Sequence, residues 1–300
     1  MGAFVFVLFF VFGTIVGSFL NVLIDRIDTK ESPFRGRSFC PYCQKTLSWW
    51  EMVPIVNFFY LKGKCFTCHH KLPLQYPLVE FLTGLSFALI SWRFFHFPLI
   101  NFYVMFSLNL ESVLLWINFI FWLYWVFVLL AISIYDLKKY LILNEVLFPA
   151  IIISFIWRIV LGIFLQFKDF AFLAQTTNFL GPQTYIFGHY SYFVSLFLGG
   201  VVGGGLIAAF AYLTKERAMG WGDAILAFFI GLILGWPDIL IALILSFLSG
   251  GLISLILVIF KRKTFKSYIP FAPFLTLGAL LVMLFGDIII KGYLSIPLIS

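Results

Sequence analysis

Charged side chains are scarce in this chain. Only 11% of its 300 residues are Asp, Glu, Lys or Arg, whereas 62% are hydrophobic. A soluble globular protein carries about 25% charged residues and roughly 45–50% apolar ones. The apolar residues here come in blocks near the ~20 residues that cross the hydrocarbon layer of a membrane. The scarcity of charge therefore excludes a soluble globular domain and predicts an integral membrane protein, with the lipid bilayer as its solvent.

The first apolar segment also lacks the features of a cleaved signal peptide. It has no basic start and no small-residue cleavage site, and its apolar run is too long. We therefore expect it to remain as the first membrane span. The hydropathy pattern predicts an all-α polytopic protein with about eight transmembrane helices, at residues 3–24, 77–97, 112–135, 141–165, 190–213, 223–241, 242–260 and 271–290. The sixth and seventh spans are expected to meet in a tight turn at Trp236, Pro237 and Asp238. We expect three parts: the first helix (1–24), a polar loop (25–76) and a membrane-embedded domain (77–300).

Lys and Arg are distributed unevenly between the two sides of the predicted membrane domain. Sixteen of the 20 basic residues lie in four loops on one side, and eight of these lie in the loop 25–76. Basic loops resist translocation, so this side is predicted to be cytoplasmic and both termini to lie outside. The net charge of +7 is explained by this topology. No nucleic-acid-binding module accompanies it, and we expect no nucleic-acid partner.

Cysteine is limited to four residues, and all of them lie in the loop 25–76. They form two C-x-x-C pairs, Cys40/Cys43 and Cys65/Cys68, separated by 21 residues. Such pairs suit a tetrahedral Zn²⁺ site, and four thiolates close the coordination shell. The cytoplasm disfavours disulfides, and a metal stabilises a polar loop that has no hydrophobic core. A structural zinc site is the favoured interpretation, with a redox pair or unmetallated thiols as the alternatives.

Two aspartates stand at the cytoplasmic ends of predicted spans. Asp136 closes the third span, and Asp223 opens the sixth in the segment Gly220–Asp223. Ionisable groups in a membrane segment are costly and point to function. Two carboxyl groups held together do not both ionise easily, which is the arrangement that aspartyl proteolysis needs. The alternative is two separate interfacial aspartates, each reaching water or capping a helix, because the sequence does not show that they meet.

Two further features of the membrane segments carry predictions. Glu80 lies just inside the second span on the cytoplasmic side, and Arg158 lies nearer the outer face, where anchoring or ion pairing is expected. The fifth span contains five glycines, Gly199, Gly200, Gly203, Gly204 and Gly205. Glycine lets helix backbones approach closely, so we expect this cluster to be a helix-packing surface.

Four blocks of the chain resemble, in order, the signature segments of the bacterial type IV prepilin leader peptidases, also called prepilin peptidase/N-methyltransferases. The blocks are Gly17–Arg26, the cysteine segment Cys40–Glu80, the G-x-G-D box Gly220–Asp223, and Ile269–Phe274. A lone G-x-G-D box is a weak signal. Four blocks in the same order, covering nearly the whole chain, are a strong one.

The resemblance implies an intramembrane aspartyl protease in the bacterial cytoplasmic membrane. Its substrates are type IV prepilins or pseudopilins, cleaved on the cytoplasmic side after a Gly that precedes their apolar segment. It also implies that the new N-terminal amine is methylated with S-adenosylmethionine, and it assigns this activity to the region of the cysteine loop. Carried over residue by residue, the roles fall on Asp136 and Asp223 as the catalytic pair, on Cys40, Cys43, Cys65 and Cys68 as the zinc ligands, and on Glu51 and Glu80 as candidates for the methyl-donor site.

The chain departs from the family pattern at two places. Ile225 stands where a Lys usually follows the G-x-G-D box, and Leu141–Asn144 lacks the Pro that usually follows the first aspartate. Neither change removes a catalytic acid. Two alternatives remain: a peptidase without methyltransferase activity, and an ion-coupled membrane transporter. The transporter is disfavoured because the sequence shows no internal symmetry of the kind transporters often have.

Overall fold

The computed structural model describes residues 2–27, 32, 36–95, 110–165, 185–186, 189–190, 192–216, 219–260 and 269–294. Their helices are α1 (Gly2–Ile27), α2 (Val56–Tyr60), α3 (Gln75–Phe95), α4 (Leu110–Lys139), α5 (Asn144–Leu165), α6 (Tyr192–Thr214), α7 (Trp221–Leu234), α8 (Asp238–Ile259) and α9 (Ala272–Leu294), with a 3₁₀ turn at Trp49–Met52. Two short strands, β1 (Tyr185–Ile186) and β2 (His189–Tyr190), pair antiparallel. The basic segment 261–266 used for the orientation lies outside the described residues.

Eight apolar helices match the eight predicted spans. Six of them are long and apolar enough to cross a membrane, namely α1, α3, α4, α5, α6 and α8. The other two, α7 and α9, have shorter apolar stretches of described residues. The all-helical fold class is confirmed, since the only strands among the described residues are the two-residue pair β1 and β2.

The tight turn predicted at Trp236, Pro237 and Asp238 is confirmed, whereas the hydropathy bounds that divide the two spans at residues 241 and 242 are wrong. The helix α7 already ends at Leu234, and α8 begins at Asp238. Gly235 ends α7 with a φ of +76°, a conformation that glycine adopts without steric cost. Pro237 lies just before α8. Because proline has no backbone N–H and its ring clashes with the preceding turn, it cannot extend α7. Because apolar residues flank this turn on both sides, hydropathy alone places the boundary too late.

Contacts divide the chain into two compact units, residues 1–96 and 97–300. In the first unit α1 packs along α3, and the chain between them contains the two cysteine pairs, the 3₁₀ turn and α2. The two long helices approach closely at Gly17, where a Cβ atom would lie only 2.8 Å from the Cα of Glu80. Glycine at position 17 therefore allows α1 to lie directly against the part of α3 that carries Glu80.

In the second unit, α6 and α7 pack through their glycines. A Cβ atom at Gly199 would lie 2.5 Å from the carbonyl oxygen of Gly231, and one at Gly203 would lie 2.7 Å from that of Ala227. The predicted packing role of the glycine cluster is confirmed at these positions. The close contact holds α7, the helix that carries Asp223, against a long membrane helix.

Candidate active site and metal centre

Asp136 lies near the end of α4 and is 3% exposed. Its Oδ2 atom accepts a hydrogen bond of 3.2 Å from the backbone N–H of Ala272. Ala272 is the first residue of α9, where backbone N–H groups have no partner within the helix. One turn earlier, Ser133 Oγ donates to Thr276 Oγ1 at 2.6 Å. The start of α9 and the end of α4 are therefore joined by polar contacts at Asp136.

Asp223 lies in the first turn of α7 and is 4% exposed. Its Oδ2 atom accepts a hydrogen bond of 3.1 Å from the backbone N–H of Gly220. This contact is the carboxylate half of a capping box, in which an acid in the first turn binds the N–H of the residue before the helix. The G-x-G-D segment thus forms the N-terminus of α7, in which the carboxylate of Asp223 binds the backbone N–H of Gly220.

The two glycines before Asp223 have different surroundings. A Cβ atom at Gly222 would lie 2.6 Å from Cγ1 of Ile142, in the connection between α4 and α5. A Cβ atom at Gly220 would meet nothing closer than 3.9 Å. Gly222 is therefore needed for the close approach of the chain after Asp136, whereas Gly220 has room for a side chain.

The structure brings Asp136 and Asp223 together within the second unit. Their carboxyl groups are close enough to interact electrostatically. They come from different helices and from positions 87 residues apart in the chain, so this proximity is a property of the tertiary structure. A pair of this kind can hold one carboxyl group protonated beside an ionised one, which supplies an acid and a base at the same site.

The helix α7 is unusually short for a membrane helix. Its 14 residues span about 21 Å, whereas the hydrocarbon layer is about 30 Å thick. At its far end, the guanidinium of fully buried Arg158 donates to the carbonyl oxygen of Ile233 and lies 4.6 Å from the ring centroid of Trp125. Arg158 is therefore not an exposed anchor at the membrane face, because it lies inside the protein and binds the last turn of α7.

The four cysteines of the first unit converge. Their sulfur atoms all lie within 4.8 Å of one another, and those of Cys40 and Cys68 are 3.9 Å apart. A tetrahedral Zn²⁺ with bonds of about 2.3 Å to sulfur places its ligands about 3.8 Å apart. None of the four forms a disulfide. The donor set and its spacing therefore fit a metal ion.

Backbone hydrogen bonds repeat in the two cysteine turns. In each turn, the N–H four residues after the first cysteine donates to that cysteine's carbonyl oxygen, at 2.9 Å from Gln44 to Cys40 and at 3.0 Å from His69 to Cys65. Gln44 and His69 have φ values of 55° and 54°. The positive φ turns the chain back, so that the N–H of the first cysteine also binds the carbonyl oxygen five residues on, at 3.0 Å from Cys40 to Lys45 and at 2.9 Å from Cys65 to His70.

The ionisation of the thiols also favours a cation. Burial raises the pKa of Cys65, but the backbone N–H groups of Cys68 and Thr67 lower it to about 7. The backbone N–H of His70 lowers the pKa of Cys68, but burial and the neighbouring thiols raise it to about 11. Four thiolates this close repel one another unless a cation lies between them. The ring of His70 packs against that of Tyr42 at an angle of 35°, with a centroid distance of 3.5 Å.

Comparison with known proteins matches both units to one family. Residues 11–94 match the model of the bacterial peptidase A24 N-terminal domain. Residues 122–255 match the model of the type IV leader peptidase family. A prepilin leader peptidase/N-methyltransferase of Bacillus subtilis is 30% identical over 289 residues, which cover 96% of this chain and 98% of the relative.

The chain belongs to the type IV leader peptidase family.

More distant relatives of the type IV leader peptidase family extend over the same length. Proteins with the same name from Legionella pneumophila and Pseudomonas aeruginosa are each 26% identical, over 95% and 94% of this chain and 92% and 91% of their own length. No solved structure matches the chain. The resemblance read from the four sequence blocks is therefore confirmed as family membership.

In this leader peptidase, the two candidate glutamates of the methyl-donor site both bind backbone amides. Glu51 accepts the N–H of Ser48 at 2.7 Å and lies 3.6 Å from the ammonium of Lys45. Burial raises the pKa of Glu51, but the Ser48 and Lys45 contacts outweigh it and hold the pKa below its usual value. Glu80 accepts the N–H of Ile55 at 2.7 Å, and Ile55 has a φ of 61° that a β-branched side chain rarely adopts. Both carboxylates therefore hold the loop in shape.

Sequence reasoning assigned no role to Asn21 of the first helix. Asn21 is 5% exposed, and its side-chain amide donates to the carbonyl oxygen of Tyr76 at 3.1 Å. The Tyr76 hydroxyl in turn donates to Asp25 at 3.0 Å. An asparagine in the last turns of a membrane helix is an available signal, because a buried amide needs partners. Its partners, however, lie 55 residues away in the chain.

Proposed function

We propose that the chain is a membrane-embedded aspartyl peptidase that removes the leader of type IV prepilins or pseudopilins and then methylates the new N-terminus. The observation that carries this proposal is the approach of two buried aspartates, Asp136 and Asp223, at the ends of two membrane helices. The names of the relatives, prepilin leader peptidase/N-methyltransferase, support both the substrate class and the second reaction.

In the proposed cleavage, the ionised aspartate takes a proton from a water molecule, and the water oxygen attacks the scissile carbonyl carbon. The protonated aspartate donates a hydrogen bond to the carbonyl oxygen. The site in the substrate has to be unwound locally, because the carbonyl groups of a helix are bound to N–H groups four residues on. We expect cleavage after a Gly just before the apolar segment, as the family resemblance implies.

The orientation follows the basic loops. We propose that the cysteine loop and the two aspartates face the cytoplasm of a bacterial inner membrane and that both termini lie outside. Sixteen of the 20 basic residues lie in the four loops on the proposed cytoplasmic side, which supports this topology. A cytoplasmic site is also the side on which S-adenosylmethionine would be available.

We propose that the four cysteines hold a structural Zn²⁺ and that S-adenosylmethionine is the methyl donor. Four sulfur ligands leave no open position on the metal, so the ion would fold the loop rather than take part in methyl transfer. Glu51 and Glu80 remain candidates for the donor site, and the loop 25–76 for the methyl-transfer region. The predicted peptidase segment, residues 77–300, contains both aspartates and also α3, which packs with α1 in the first unit.

The exchange of each aspartate for asparagine tests the peptidase. We expect Asp136→Asn and Asp223→Asn each to slow cleavage of a co-expressed prepilin by about 100- to 10,000-fold, the usual contribution of a catalytic acid or base. Mass spectrometry of the pilin would measure cleavage and methylation together.

Asp238→Asn serves as the matched control, because Asp238 opens the helix that follows α7 and has no place in the pair. It is expected to retain cleavage. Wild-type cleavage by either Asp136→Asn or Asp223→Asn would contradict the proposed pair. A cleaved pilin that carries no methyl group would instead support a peptidase without methyltransferase activity, and solute transport without cleavage would support a transporter.

A further inference from the structure

The first unit contains a cavity of about 190 Å³. Its walls come from the cytoplasmic end of α1, the two cysteine turns, the 3₁₀ turn, α2 and the start of α3. The lining is mainly apolar and includes four aromatic rings, those of Phe39, Phe58, Phe66 and Tyr76. A concave site with apolar walls and a few polar groups is typical of a small-molecule site.

The polar groups of the cavity carry mostly negative charge. Three carboxylates line it, Asp25, Glu51 and Glu80, against a single basic side chain, Lys64. Glu51 and Glu80 accept backbone N–H groups, and Asp25 is exposed to solvent and accepts the hydroxyl of Tyr76. This charge pattern favours a cationic ligand.

Asn21 supplies an independent indication of a ligand. It lines the same cavity and is 5% exposed. Its amide nitrogen binds the Tyr76 carbonyl oxygen, but its Oδ1 atom has no hydrogen-bond partner among the described residues. A buried acceptor without a donor is unfavourable unless a bound group supplies one. A ligand at this position has to donate a hydrogen bond to Asn21 Oδ1, and the carboxylates that line the same cavity favour a donor group with a positive charge.

We propose that this cavity is the methyl-transfer site and that Asn21 Oδ1, with the carboxylates of Asp25 and Glu80, binds an ammonium group there. This inference rests on the proposed methyltransferase function. The ammonium group has two sources in that reaction: the new N-terminus of the cleaved pilin and the methionine end of S-adenosylmethionine. Both present N–H donors with a positive charge, which is the chemistry that the cavity wall matches.

The transfer step balances as follows. The pilin N-terminal ammonium first loses a proton to water. The lone pair of the resulting amine forms a bond to the methyl carbon of the sulfonium, the carbon–sulfur bond breaks, and its electron pair stays on sulfur. The products are a methylated ammonium at the pilin N-terminus and a neutral thioether.

Two variants test the site. Asn21→Leu removes the acceptor at similar volume, and Asp25→Asn removes one charge from an exposed position. We expect each to lower kcat/KM for methylation, by about 10- to 100-fold for Asn21→Leu, since a hydrogen bond to a charged group is lost. The measurements are methyl transfer to a synthetic peptide with the mature pilin N-terminus and equilibrium binding of S-adenosylmethionine, in detergent. Thr14→Val is the matched control, because Thr14 is a buried polar residue seven positions earlier on α1 and does not line the cavity.

The two possible sources of the ammonium group are distinguished by whether the variants change the KM for the peptide or the Kd for S-adenosylmethionine. A higher KM for the peptide, with donor binding unchanged, assigns the site to the pilin N-terminus. A higher Kd for S-adenosylmethionine, with the peptide KM unchanged, assigns it to the donor. Prepilin cleavage at the wild-type rate shows that a variant is folded. If Asn21→Leu does not fold, the methylation and binding measurements on Asp25→Asn test the site instead.

Two negative results are distinct. Wild-type methylation and donor binding in both variants would overturn this inference and leave the proposed function intact. Absence of methyl transfer by the wild-type enzyme would reject the methyltransferase function itself, and this inference with it.

Discussion

At the scale of single residues, Asp223 depends on the glycine before it. The N-terminus of α7 lies against Ile142, and only a residue without a Cβ atom fits at position 222. Ile142 lies in the short connection that leaves α4 just after Asp136. The contact therefore links the chain around one aspartate to the chain around the other, at the point where the two carboxyl groups have to be held in register.

Gly222→Ala is expected to destabilise the protein by about 1–3 kcal/mol, the usual cost of overpacking, and to slow prepilin cleavage. Gly220→Ala is the matched control, since its Cβ atom would meet nothing within 3.9 Å and its φ of −87° suits alanine. Thermal unfolding in detergent and a cleavage assay measure the two effects. Adding Ile142→Ala to Gly222→Ala should recover part of the loss, and equal behaviour of the two glycine variants would contradict the steric explanation.

At the scale of secondary-structure elements, the C-terminal end of α7 is held by side chains from two other helices. The turn after its C-terminus is bound to α6, where Ser195 Oγ donates to the carbonyl oxygen of Trp236 at 2.7 Å and accepts its N–H at 3.1 Å. Arg158 of α5 binds the Ile233 carbonyl oxygen. The C-terminal end of this 14-residue helix is buried, so its carbonyl groups cannot rely on water, and the neighbouring helices supply their partners.

Ser195→Ala tests this anchoring. It leaves the half-buried Trp236 carbonyl without the donor from the fully buried Ser195, so we expect a loss of stability of about 1–3 kcal/mol. Ser254→Ala is the control, because Ser254 only donates to Gly250 within its own helix, a bond that adds little. Unfolding temperature and amide hydrogen exchange at residues 231–238 would report the difference. Similar effects of the two substitutions would show that the contact between α6 and the turn does not stabilise α7.

At the scale of the whole molecule, the proposed activities are divided between the two compact units. The first, residues 1–96, contains the cysteine cluster and the cavity with Asn21. The second, residues 97–300, contains Asp136 and Asp223. A loop of this size without a hydrophobic core would depend on the proposed metal for folding, whereas the second unit has extensive apolar packing of its own.

Metal removal should therefore separate the two reactions. We expect the wild-type protein to bind one Zn²⁺ per chain, and Cys40→Ser with Cys65→Ser to bind none. The double variant should lose methylation and retain prepilin cleavage, which metal analysis and mass spectrometry of the pilin would measure. Cysteine-to-serine exchange is nearly isosteric, so the metal is the principal loss. Loss of cleavage in parallel with methylation would contradict the division between units.

The amino-acid sequence by itself determined the membrane class, the eight apolar helices, the four metal-ligand candidates and the two aspartates. These features depend on composition and on short spacings. Apolar segments of sufficient length partition into the bilayer, and two cysteines three positions apart can bind one metal ion whatever the rest of the fold. The sequence also predicts the turn at Trp236, Pro237 and Asp238, but the tertiary structure decided that α7 ends at Leu234, because apolar residues continue on both sides of the turn. It also decided that Asp136 lies close enough to Asp223 for an electrostatic interaction and that Asn21 lines a cavity with three carboxylates. Those contacts join residues dozens of positions apart, and long-range proximity is set by how helices pack rather than by local pattern.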